Sequence, residues 1–535
     1  MRTDVVKMYK DVHTWVGIVS GLCLFIAFYA GALTMFETAV QGWASPPPNL
    51  PAAVSVEDTP KLIAATIAAH PEVAKEYEIN LDVGPQAPAR MTWHVDGPSG
   101  KRGDEIHFAS ALTPGGQLVV ARQDETPVAQ WIDVLHQQVG LPFDHEIAMP
   151  IMGAISLLYA IALVSGVIAF LPSLTKDLFA LRIGRNLKRM WLDVHNVLGV
   201  FSLPFHVIMA LTAVVFAFHD QFYDTQNAAL YGGKIDAIWA EGRPKTQKHP
   251  PGAPVLTPAQ MIQRIDEQAP GFRLLRIGYA TNPKGQVQAR LQGEDARYGM
   301  RGPTFGLATA DAVSGDLIQS EYLPGHQVGW AAAVTGFFTL HFGSFGGPAV
   351  RWGYFALGLA GAFLFYSGNL LWIESRRKRM AKRNPTAVVQ SRSTQVLGAL
   401  TIGVALGSVA GVSATLAAAK WLPGRAEDLM AAHMWVYYAV FLSCVTWAFL
   451  RGAARAAPEL LWACAAATLL VPLSSLLGVL GVVGWVHPES LIVDLTALAG
   501  VAAFALMARL TARRLAEGPT DSVWSAATPE PAVAG

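Results

Sequence analysis

The sequence predicts a mainly α-helical integral membrane protein of eight transmembrane helices, with two small α+β domains inserted in a duplicated span–domain–span unit. Three observations carry that reading: the composition, eight apolar runs of bilayer length, and an internal repeat. Of 535 residues, 52% are apolar and only 15% charged. Mean hydropathy is +0.34, and soluble domains carry nearer to about 25% charged residues. The lipid bilayer is therefore an expected partner. The net charge of +1 says nothing about partners, and no nucleic acid is expected.

Apolar runs long enough to cross a bilayer occupy His13–Phe36, Ile147–Leu171, Leu192–Phe218, Val350–Ile373, Val396–Ala418, His433–Leu450, Leu460–Val486 and Leu491–Leu510. An even number of spans puts both termini on one side. Basic residues mark that side. Arg2, Lys7 and Lys10 precede the first run, Lys176 to Arg189 follow the second, and Arg376 to Arg383 follow the fourth. Arg451 and Arg455 follow the sixth, and Arg509, Arg513 and Arg514 the eighth. The positive-inside rule then makes both termini cytoplasmic. The first run is too long for an ordinary signal-peptide core and no Ala-x-Ala site follows it, so a retained span is expected. Cys23, Cys444 and Cys464 all fall in apolar runs. They offer no disulfide framework and no Cys-based metal site.

The first half of the chain is duplicated. Met8-Tyr9-Lys10-Asp11-Val12-His13 with Gly17 matches Met190-Trp191-Leu192-Asp193-Val194-His195 with Gly199. Each copy continues through a span and an inserted domain to a Leu-His pair, Leu135-His136 or Leu340-His341, and a second span. In each insert a Thr-Pro pair, Thr59-Pro60 or Thr257-Pro258, opens a helix with Thr as N-cap. Alternating strands follow, over Glu78–Val83, Arg90–Val95 and Glu105–Phe108 in one copy and Leu274–Tyr279 and Gln286–Leu291 in the other. The chain divides into 1–36 (N-terminus and first span), 37–146 (first insert), 147–218 (second and third spans), 219–328 (second insert), 329–383 (fourth span and basic loop) and 384–535 (four further spans and tail).

Histidine inside a membrane span is costly and usually functional or paired. If the copies are related by an axis along the membrane normal, His13 and His195 reach equal depth near the cytoplasmic face. Two neutral imidazoles facing each other there can ligate one haem iron. Gly17 and Gly199, one turn on, would leave room for a porphyrin edge, and Asp11 and Asp193 could steady the site. Eleven residues separate His195 from His206, which on one continuous helix returns to nearly the same face, about 16 Å further out. An outer site would draw two ligands from His136, His206 and His341. The repeat favours His136 with His341; the shared face favours His206 with one of them. Bare zinc is disfavoured because the histidines form separated layers. His433 and His487 are assigned to outer interfaces. The tryptophans, among them Trp15, Trp43, Trp131, Trp330, Trp352 and Trp435, read as an interfacial belt.

The Asp-Val-His-x-x-x-Gly openings, the two Leu-His elements, the phrase Phe338-Thr339-Leu340-His341-Phe342-Gly343 and the Gly368 to Trp372 ending resemble the PepSY-associated transmembrane proteins. The likeness runs from about Met8 to Arg379. It implies PepSY-like periplasmic inserts and, as in several members, reduction of ferric siderophores by b-type haems. The implied cofactor is two bis-His haems b, with ligand roles most secure for His13 and His195. No nucleotide fingerprint occurs in the short cytoplasmic loops, so no flavin or NAD site is expected. The donor would be quinol or a separate cytoplasmic reductase, and the acceptor a ferric siderophore or other ferric chelate. Two other readings are a non-enzymatic anchored binding protein and a transporter, the latter with Asp494 as an intramembrane acid.

Overall fold

In the computed structural model, the described residues are 2–47, 49–84, 87–96, 105–123, 126–179, 181–182, 186–242, 249–250, 253–282, 285–300, 302–303, 305–383, 390–482, 485, 491–517 and 522–525. His487 and most of the connection before the second insert lie outside them. Eight helices are long and apolar enough to cross a membrane, so the chain is a multi-pass membrane protein.

The first span is α1 (Thr3–Thr34), followed by the short α2 (Glu37–Ala44). The first insert contributes α3 (Thr59–Ala69), strands β1–β4 and α4 (Val128–Gln138), which carries His136. The chain returns through α5 (His145–Phe170) and the single turn α6 (Leu174–Asp177). The second copy opens with α7 (Leu187–Phe201) and α8 (Leu203–Ala229). Its insert holds α9 (Ile235–Gly242), α10 (Pro258–Gln268), β5–β8 and α11 (Gly329–Phe342), and α12 (Gly347–Arg383) closes the repeat. The extension is α13 (Arg392–Ala418), α14 (Leu429–Arg451), α15 (Ala453–Val479) and α16 (Leu491–Glu517).

One expectation is corrected here. The third span does not run uninterrupted from Leu192. The helix breaks at Ser202, just before Pro204, so His195 and His206 lie on α7 and α8 respectively. Proline supplies no N–H and its ring clashes with the carbonyl four residues back, which accounts for the interruption. The eleven-residue count between His195 and His206 therefore does not run along one uninterrupted helix.

The two inserts are not separate modules. β1 (Glu76–Asn80), β2 (Met91–Val95), β3 (Ile106–Leu112), β4 (Leu118–Gln123), β5 (Arg273–Thr281), β6 (Val287–Glu294), β7 (Gly306–Asp311) and β8 (Leu317–Tyr322) form one antiparallel sheet. Its order is β4-β3-β2-β1-β5-β6-β7-β8. The equivalent first strands pair with each other, Glu78 opposite Gly278 and Tyr77 opposite Tyr279, so each copy covers the other's exposed edge. Inward residues Ile79, Met91, Trp93, Ile277, Tyr279 and Leu291 pack beneath Leu62 of α3 and Met261 and Ile265 of α10. Thr257 caps α10 in a full capping box with Gln260. Thr59 does not cap α3. Its hydroxyl donates to the Ser55 carbonyl at 3.1 Å, and Asp58 holds the cap position.

α13 is the centre of the extension, with 83% of its most apolar stretch buried. Gly403, Gly407 and Gly411, spaced one turn apart, let α14 approach: a Cβ at these positions would lie 2.8 Å from Val445, 3.1 Å from the Phe441 carbonyl and 2.8 Å from the Tyr437 ring. The extension is tied to α2 by a buried polar cluster. The Trp43 indole donates to Asp494 at 3.0 Å, Ser475 donates to the same oxygen at 3.0 Å, and Lys420 donates to Ser475 at 3.1 Å. Trp43 and Trp131 are thus buried, 1% and 5% exposed, and are not belt residues, unlike Trp15, Trp330 and Trp435.

Candidate histidine-pair site

α1, α5, α8 and α12 surround one another, and α7 packs on α12. That arrangement brings four of the sequence-selected histidines together as two pairs. His13 and His195 face each other near the ends of the spans bearing the basic loops, with ring centroids 6.1 Å apart. His136 and His341 face each other on the sheet side, 5.9 Å apart. The anchor of His136, the Ala27 carbonyl, lies fourteen residues beyond His13 on α1, so the layers are about 21 Å apart.

The hydrogen bonds fix the tautomer of every ring. His13 Nδ1 lies 2.8 Å from the Ala162 carbonyl and His136 Nδ1 2.8 Å from the Ala27 carbonyl. A carbonyl can only accept, so both nitrogens carry hydrogen. His195 Nδ1 is 3.2 Å from Ser367 Oγ, whose own proton goes to the Leu364 carbonyl. His341 Nδ1 is 2.7 Å from Thr212 Oγ1, whose proton goes to the Ile208 carbonyl. Both hydroxyls must therefore accept. All four rings donate through Nδ1, and among the described residues Nε2 has no hydrogen-bond partner, the state a metal-bound imidazole requires.

The fit to a haem iron can be tested on these distances. A metal–nitrogen bond of about 2.0 Å on each side, plus roughly 1.2 Å from nitrogen to ring centre, places two axial imidazoles about 6.4 Å apart. The two pairs, at 6.1 and 5.9 Å, meet that value within about half an ångström. All four rings are only half-buried, as rings bordering a gap are. Among the described residues no group of three or more His, Cys, Asp or Glu converges, so the donor set at each site is two imidazoles. The residues present fit a bis-His haem.

Glycines whose role the sequence reading missed make room for the rings. A Cβ at Gly166 would stand 2.8 Å from His13 Cε1, one at Gly368 3.4 Å from His195 Cε1, and one at Gly31 2.6 Å from His136 Nδ1. Gly166 and Gly368 each follow a serine at equivalent places in the second and fourth spans, and that repeated Ser-Gly pair was the available signal. Gly17 meets nothing within 4 Å, and Gly199 only Leu364 at 3.7 Å, so the protein's own packing needs neither as glycine. Asp193 does not touch an imidazole. Its carboxylate, 1% exposed, accepts from Arg182 Nε at 2.7 Å and Nη2 at 2.8 Å, pinning the loop before α7. Asp11 is exposed.

The profile of the PepSY-associated TM region matches residues 11–375, more than half of the chain. The chain belongs to the PepSY-associated transmembrane family. Both histidine pairs, both Ser-Gly elements and the whole eight-stranded sheet fall inside the family region. The extension α13–α16 falls outside it. No curated protein matches the chain.

His206 is in neither pair. It is fully buried on α8, its Nδ1 2.5 Å from the Tyr159 hydroxyl, and its Nε2 has no partner among the described residues. His433, also fully buried, binds its own helix through the Leu429 carbonyl and faces no second histidine among the described residues.

Proposed function

We propose that this protein carries electrons across a bacterial inner membrane, through two bis-His haems b, to a ferric siderophore or other ferric chelate on the sheet side. The observation that supports this most is the pair of facing histidines at 6.1 and 5.9 Å, each with Nδ1 engaged and Nε2 free. When bound, each haem iron supplies a one-electron Fe(III)/Fe(II) couple. His13 and His195 hold one group at the basic side; His136 and His341 hold the other about 21 Å away. Ala162, Ser367, Ala27 and Thr212 orient the four rings and keep their iron-facing nitrogens deprotonated. The basic loops support cytoplasmic termini, with quinol or a separate cytoplasmic reductase as the donor. Reduction lowers the charge and hardness of the chelated iron and weakens its hold on oxygen ligands, which releases iron for uptake.

Purified protein in detergent or nanodiscs tests the reading. Native protein should carry two b-type haems. His13→Ala or His195→Ala should remove one, and His136→Ala or His341→Ala the other. A folded, colourless protein sinks the proposal.

A further inference from the structure

Between the two histidine layers lies a compact aromatic group that neither pair uses. His206 Cε1 packs 3.2 Å from the Cβ position of Gly361 on α12. Gly361 lies seven residues, about 10 Å, from Gly368, where His195 docks. Thr212, which anchors His341, lies six residues beyond His206, about 9 Å. His206 is therefore halfway between the layers. Phe365, next to the Leu364 turn on which the His195 anchor rests, stands 5.1 Å from Phe28. Phe28 stands 5.5 Å from His206, and Tyr159 lies 5.7 Å from both Phe28 and Phe365. The Tyr159 hydroxyl holds the imidazole through Nδ1 and also reaches the His206 carbonyl at 3.2 Å.

The repeat shows that packing alone does not call for a histidine here. The equivalent position in the first copy is Leu24, 1% exposed, so an apolar side chain fills the matching slot. A clamped, fully buried imidazole with one unpartnered nitrogen is a costly choice for mere filling.

We propose that His206, held by Tyr159, is the mid-membrane positioning residue for electron transfer between the two histidine-pair sites. It and Phe28 set an aromatic cluster at the middle of the gap. With a haem held by each pair, one electron would pass from a basic-side Fe(II), leaving Fe(III), to a sheet-side Fe(III), giving Fe(II). No bond forms, no proton moves, and His206 is not itself oxidised. Quinol or a cytoplasmic reductase supplies the electron and the ferric chelate removes it. The inference rests on the haem reading above.

The test uses full-length protein in nanodiscs. Haem content, low-spin spectrum and both midpoint potentials are measured first, then the two phases of reduction after rapid mixing with a quinol analogue. His206→Leu should keep two haems, the native spectrum and both potentials, yet slow the second phase. His206→Phe, which restores an aromatic edge, should recover most of the rate. Phe28→Leu repeats the test without touching a histidine. A doubly loaded His206→Leu protein with native kinetics overturns the inference. So does a His206→Phe protein that loses one haem, because His206 would then be a ligand. Native protein that is colourless fails the haem reading itself, before any variant is compared.

Discussion

Gly31→Ala isolates the sheet-side pair without changing any ligand. The new Cβ would stand 2.6 Å from His136 Nδ1 and 2.8 Å from Cε1, where ordinary contact begins near 3.4 Å. The ring must retreat by several tenths of an ångström, and its 2.8 Å bond to Ala27 cannot survive that movement unchanged. Overpacking costs about 1–3 kcal/mol, and a weakened hydrogen bond adds up to about 1 kcal/mol. Because 1.4 kcal/mol is tenfold in affinity, the sheet-side site should bind its group roughly 5- to 700-fold more weakly. The helix itself gains, since alanine is favoured over glycine in a helix interior by about 1 kcal/mol. Haem-to-protein ratio and thermal unfolding, measured together, give the readout. The expected result is a stable protein with one haem in place of two and an intact His13/His195 site. A Gly31→Ala protein with two haems and a native spectrum would refute the packing argument.

Further predictions concern other parts of the chain. Ser367→Ala removes the acceptor for His195 Nδ1 and should shift the midpoint potential of the basic-side haem while leaving the other unchanged, as read by potentiometric titration. Asp193→Asn weakens the clamp on Arg182 and should lower unfolding stability by about 1–3 kcal/mol, measured by thermal scanning; an unchanged midpoint contradicts it. The Arg297 guanidinium beside buried Asp295 holds that carboxyl below the usual carboxylate range. Its stabilisation is complete above about pH 3.9 and is lost as pH falls through the lower folded value. Asp295→Asn should therefore flatten the acid limb of unfolding. Thr257→Ala should cost about 0.5–2 kcal/mol through the lost cap, with Thr59→Ala leaving the α3 N-terminus uncapped as before.

Hydropathy made all eight spans legible, because a bilayer demands about twenty apolar residues whatever the helix packs against. The repeat made the equal depth of His13 and His195 legible, since two copies running in one direction share a level. Pairing of His136 with His341 was one of two readings; the structure brings those two rings within 5.9 Å of each other, while His206 is held by Tyr159. The joined sheet was not legible. Its central contact, Tyr77 against Tyr279, comes from residues some two hundred positions apart, and no local pattern encodes it. Nor were the anchors at Ala162 and Ala27, which are backbone carbonyls and leave no mark on composition. The buried cluster of Trp43, Ser475, Asp494 and Lys420 was equally hidden, because four separate elements contribute to it.

The central claim is that two pairs of imidazoles each clasp an iron porphyrin. Low-temperature electron paramagnetic resonance of the oxidised native protein, with iron counted per chain, tests it most directly. Two low-spin ferric centres with bis-imidazole signals and two irons per chain are expected. A well-folded protein with no low-spin signal, or with iron bound outside a porphyrin, would contradict the account.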